Sequence, residues 1–249
     1  LCSSGRTLYL TAITEALDIP RSAFSLNDTF RFITTTVLNL YLGSLIAKFG
    51  AKKLIIAGSL SLIAFALLNS VATNLVTFYI ASIFLGVGLS FAGTTMVSAV
   101  VHKWCKKNVG TITGATLAAN GIGGALAGQI LSPIIFQEGN PFGYRVSYRL
   151  VACVLAVVLA IVIFFFKDYK GEDGEIPATK KKKKVRGEGW VGIPYEAGKK
   201  KSYFYIVIVC IFVTGMCLQG LGGIAVPHMY DVGIGINYVA MLSSISSTA

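Results

Sequence analysis

The sequence predicts an all-α bundle of helices that cross a membrane repeatedly, and three observations predict it. Hydrophobic residues make up 54% of the 249 and charged residues only 13%, with a mean hydropathy of +0.70, which leaves too little charge to cover a water-facing surface. The apolar residues fall in runs of about 20, the length a helix needs to cross a bilayer. Lys and Arg gather in short stretches between those runs instead of forming a face, so the net charge of +11 argues against nucleic acid as a partner and reads as a topology signal.

Taken in order, Leu8 to Ala16 reads as the tail of a first helix. Whole spans follow at Asp28 to Ala47, Leu54 to Ala72, Leu75 to Val101, Gly110 to Ile135, Ser147 to Phe166 and Tyr203 to Val226, and Tyr238 to Ala249 reads as the start of another. Apolar residues surround most of these spans, as expected of helices set in lipid or in a core. Leu1 is not a Met and Ala249 lies within the helix-like NYVAMLSSISSTA, so the fold is expected to be truncated at both ends. LCSSGRTLYLTAI lacks the basic start and long apolar core of a signal peptide.

Seventeen of the 22 Lys and Arg lie in alternate loops: Lys48, Lys52 and Lys53, then Lys103, Lys106 and Lys107, then eleven between Lys167 and Lys201. Positively charged short loops stay cytoplasmic, which orients the bundle in the cell membrane. Residues 167–202, rich in Gly, Lys and Glu, form an expected cytoplasmic linker. It divides an N-terminal six-helix bundle (1–166, first helix incomplete) from the start of a C-terminal bundle (203–249). Its lysine run marks topology first, and anionic lipid headgroups are its expected membrane partners.

Catalysis finds no support. The five cysteines are scattered without CxxC or metal spacing and read as small core residues, so neither metal nor cofactor is expected. His102 and His228 fall on opposite sides by the lysine count, and HExxH and Gly-x-Ser-x-Gly are missing. A seven-helix receptor fits the parity of the spans less well than a twelve-helix carrier does.

The turn LGSLIAKFGAKK carries the most specific signal. Gly43, Lys48, Gly50 and Lys52 resemble the Gly-x-x-x-Asp-Arg-x-Gly-Arg-Lys loop of the major facilitator superfamily, with Ala47 where the family has Asp and Ala51 where it has Arg. Trp104, Lys106 and Lys107, followed by Gly110, Gly114, Gly121, Gly123, Gly124 and Gly128, resemble the oxalate/formate antiporter and monocarboxylate transporter branches. EALDIPRSAFSL resembles their first outer loop. The resemblance implies a secondary transporter that moves a small organic anion by alternating access. Physically, Gly110 and Gly114, and Gly124 and Gly128, are spaced to let another helix approach closely. A phosphate loop at NGIGGALAG is disfavoured, because no strand precedes it and no Lys-Ser/Thr follows.

Polar residues inside spans mark cavities or helix partners. Arg6, Arg31, Thr95, Asn120 and Gln219 are the expected substrate-binding residues, the arginines suiting a carboxylate through charge-assisted hydrogen bonds. Arg31 reads either as a cation at the cavity mouth or as a side chain snorkelling to the headgroups, the second being favoured. Thr34, Thr35, Thr36 and Asn39 are expected to line a water path. All eleven Asp and Glu fall in loops or near expected helix ends, so no buried carboxylate is expected to carry a proton. That favours anion exchange over proton-coupled carriage of another small solute.

Overall fold

The computed structural model describes residues 6–105, 108–136, 142–166 and 201–233, and the regular structure among them is helical. The helices are α1 (Arg6–Leu17), α2 (Arg21–Phe49), α3 (Ala51–Val71), α4 (Leu75–Ala92), α5 (Thr94–Trp104), α6 (Val109–Ile135), α7 (Gly143–Phe165) and α8 (Ser202–Asp231). Helices α2, α3, α6 and α7 and the stretch Leu75–His102 are each long and apolar enough to cross a membrane. The expected spans thus recur, with α8 covering the one expected at Tyr203 to Val226. Residues 167–200 of the expected linker and the partial helix at Tyr238 to Ala249 lie outside the described residues.

Two boundaries differ from expectation. Helix α2 begins at Arg21, directly after Pro20, whose fixed φ suits a chain entering a helix. Hydropathy places the start at Asp28 because the first two turns are polar, yet Phe24 and Asn27 in those turns are buried. The expected span Leu75 to Val101 is interrupted at Gly93, which has φ −93° and ψ −169°. A β-carbon there would overlap the Leu89 carbonyl oxygen, so the interruption requires glycine.

Helix α3 packs chiefly on α4 and α7, and α2 on α4; α6 runs beside α7, and α1 meets α2, α6, α7 and α8. The larger core joins Tyr9 and Ile13 of α1, Phe65 of α3, Phe78 and Leu85 of α4, Leu131 of α6 and Tyr148 of α7. A smaller core of Leu42, Leu54 and Met96 sits toward the lysine-bearing turn. Outward faces stay apolar, as at Leu40, Phe164 and Phe165, which is the arrangement lipid requires.

The closest helix approaches occur at glycines that the spacing argument did not select. A β-carbon on Gly86 of α4 would stand 2.7 Å from Thr34 Cβ and 2.8 Å from the Arg31 carbonyl oxygen, and one on Gly58 of α3 would stand 2.8 Å from Phe91 Cβ. By contrast, Gly110 and Gly114 have nothing within 4 Å of that position. Gly121 is half-buried and Gly124 and Gly128 are buried. Gly-x-x-x-Gly spacing reveals a groove on a helix but not which neighbour fills it, and among the described residues no neighbour stands against Gly110 or Gly114.

Candidate functional site

The lysine-bearing turn is built on one residue. Gly50 ends α2 and begins α3 with φ 82°, a left-handed conformation that only glycine adopts without strain, and its N–H donates to the Ile46 carbonyl at 3.0 Å. Lys52 Nζ reaches across to donate to the Ile163 carbonyl at 2.8 Å, placing a cation on the last turn of α7, where unpaired carbonyls carry partial negative charge. Lys48 lies 5.3 Å from the centre of the Phe49 ring, and Gly43 is exposed with open space beside it. With Ala47 in the acidic position of the motif, the cation at Lys52 ties α3 to α7 within the same bundle.

The interruption at Gly93 creates a second feature. Helix α5 starts afresh within an apolar stretch, and no side chain caps its first turn. Thr95 in that turn is exposed. A helix start inside a span directs backbone N–H groups and a partial positive charge at whatever lies before it. Asn120 of α6 is also exposed, and α5 and α6 are neighbours. Arg6 begins α1 and Gln219 lies within α8, while their side chains lie outside the described residues.

Arg31 departs from expectation. It does not snorkel: it is 7% exposed, with Nη2 3.0 Å from Asp28 Oδ1 and the guanidinium carbon 4.2 Å from the Phe32 ring centre. Because α2 starts at Arg21, Asp28 stands two turns inside the helix, half-buried with its side chain 28% exposed. Asn27, Asp28 and Arg31 border a cavity of about 20 Å³ together with Tyr9, Asn69 and Ser82. That volume accommodates water. The signal for the pair was legible as an i, i+3 spacing of opposite charges.

Hydrogen bonds tighten the surroundings. Tyr9 and Ser147 share one at 2.5 Å between buried hydroxyls, and Tyr9 stacks on Tyr148 at 4.3 Å. Thr35 Oγ1 donates to the Gly86 carbonyl at 3.3 Å, and Thr34 packs on Gly86. Two of the threonines expected along a water path therefore serve the seam between α2 and α4.

Helix α8 meets the bundle at the end opposite the lysines. Arg21 donates to Asp231 through Nη1 at 2.7 Å and Nη2 at 3.0 Å, and Met229 packs against the larger core. The hydrogen bonds from Arg21 hold the Asp231 carboxyl below the usual carboxylate range.

Known proteins resemble this chain along most of its length. A family model described as Major Facilitator Superfamily matches residues 3–249. "Sugar transport protein 11" of Arabidopsis thaliana is 32% identical over 145 residues, covering 55% of this chain and 28% of that protein. "Uncharacterized MFS-type transporter YcxA" of Bacillus subtilis (strain 168) is 21% identical over 227 residues, covering 91% of this chain and 53% of that protein. The chain thus spans about half or less of the length of these curated relatives, and neither printed name mentions a carboxylate. The family match, the all-helical architecture and the bilayer-length apolar helices converge: this multi-pass membrane chain belongs to the major facilitator superfamily, a family of secondary transporters.

Proposed function

We propose that the whole protein carries a small organic anion, a monocarboxylate or a dicarboxylate such as oxalate, across the cell membrane by alternating access. The lysine-bearing turn and the polybasic linker then face the cytoplasm. The observation that carries this reading is the fresh start of α5 after Gly93, with Thr95 exposed in its first turn. Helix N-termini inside a span stabilise anionic groups of a cargo. Arg6, Asn120 and Gln219 complete the proposed cargo site, Arg6 supplying the cation. Arg31, buried and paired with Asp28, acts from behind this site and not by touching cargo.

The likeness to a protein named for sugar transport supports a second reading, in which the cargo is an uncharged sugar. Uptake of labelled oxalate, formate, lactate, pyruvate and glucose by the full-length protein in liposomes separates the two. The anion reading expects carboxylate uptake that falls sharply in Arg6→Gln. Glucose uptake without carboxylate uptake overturns it, and unchanged carboxylate kinetics in Arg6→Gln remove Arg6 from the site.

A further inference from the structure

Five helices meet around the cavity of about 20 Å³ beside Arg31: α1 through Tyr9, α2 through Asn27 and Arg31, α3 through Asn69, α4 through Ser82 and α7 through Tyr148. Two polar atoms of these residues have no hydrogen-bond partner among the described residues, Asn27 Oδ1 and Arg31 Nε. Both residues are more than nine-tenths buried, at 6% and 7% exposure, and burying such groups unmet is unfavourable.

Arg31 Nε only donates and Asn27 Oδ1 only accepts. Whatever meets both must carry a lone pair for the guanidinium and a proton for the amide oxygen. A metal cation lacks the lone pair, and chloride lacks the proton. Water has both and its size suits the space, and the Ser82 hydroxyl on the same wall can complete the set of about two to four hydrogen bonds that a buried water makes.

We infer that this cavity is a structural water site, in which one ordered water accepts from Arg31 Nε, donates to Asn27 Oδ1 and so fixes the Arg31 side chain among the helices. The inference holds whatever the cargo is. Arg31 Nη2 already lies 3.0 Å from Asp28 Oδ1, and the water holds the planar guanidinium at a second nitrogen. That grip bears on helix packing, because the Arg31 carbonyl lies against Gly86 of α4, 2.8 Å from where a β-carbon would stand. The water keeps this turn of α2 in its place on α4, as a core side chain would.

The test is radiolytic footprinting of the full-length protein in lipid nanodiscs, in which a short X-ray pulse turns water into hydroxyl radicals that mark the side chains beside it, read by mass spectrometry. Tyr9, Phe24, Phe65 and Tyr148 border the cavity at 5% exposure each. Phe78 and Tyr144, at 1% and 0% exposure, belong to the same core and do not border it. Wild type is expected to mark the first four residues several-fold above the other two. Asn27→Leu, which keeps the size of the side chain and removes its polar atoms, is expected to bring the four down to the level of Phe78 and Tyr144. Equal marking of both sets in wild type overturns the inference, and so does the wild-type pattern persisting in Asn27→Leu. A second measurement needs no variant: a density map of the wild-type protein fine enough to show waters. A peak within hydrogen-bonding distance of both Asn27 Oδ1 and Arg31 Nε supports the site, and a map with ordered side chains there and no such peak overturns it.

Discussion

Tyr9 illustrates how single contacts hold the interior of this bundle. Its hydroxyl pairs with Ser147 Oγ at 2.5 Å, Ser147 is fully buried, and its ring stacks on Tyr148. An unsatisfied buried hydroxyl costs about 1–3 kcal/mol. Tyr9→Phe keeps the stacking and removes only the hydrogen bond, so a drop in stability of about 1–2 kcal/mol is expected in thermal unfolding in detergent. An unchanged melting temperature would show that Ser147 finds another partner. None of this was legible in the sequence, because Tyr9 and Ser147 are 138 positions apart and neither has a local signature.

At the scale of the element, glycines separate into two kinds that look alike in sequence. Gly86 is pressed against Thr34 and the Arg31 carbonyl of α2, whereas Gly114 faces open space. Gly86→Ala is expected to push α2 and α4 apart and destabilise by about 1–3 kcal/mol. Gly114→Ala should be neutral, or stabilising by up to about 1 kcal/mol through helix propensity. Parallel melting curves of the two variants check this, and equal melting temperatures would contradict the packing. Lys52 belongs to the same scale, since its bond to the Ile163 carbonyl ties two helices. Lys52→Met should lower stability by about 0.5–1.5 kcal/mol, measured the same way.

For the whole molecule, the contact between Arg21 and Asp231 joins residues 210 positions apart and brings the end of α8 onto the start of α2. Because Arg21 lowers the Asp231 pKa, the contribution of this pair is present at and above the ordinary carboxylate range and is lost only as pH falls through the depressed value. Both side chains are substantially exposed, so salt should also weaken it. Spin labels on the facing ends of α2 and α8 should keep their separation at neutral pH and low salt and part under strong acid or in Asp231→Asn. Separation already at neutral pH would mean the pair does not hold these ends together.

The sequence by itself determined the class of architecture, because bilayer thickness and the cost of unpaired backbone in lipid allow one reading of long apolar runs punctuated by basic turns. It also located the Gly50 turn, where a positive φ demands one residue type. Tertiary structure alone decided which glycines meet a neighbour, that Gly93 splits a span, and that Arg31 turns inward to Asp28. Hydropathy and spacing describe a helix's own surface, whereas burial and pairing depend on which other helix lies against it.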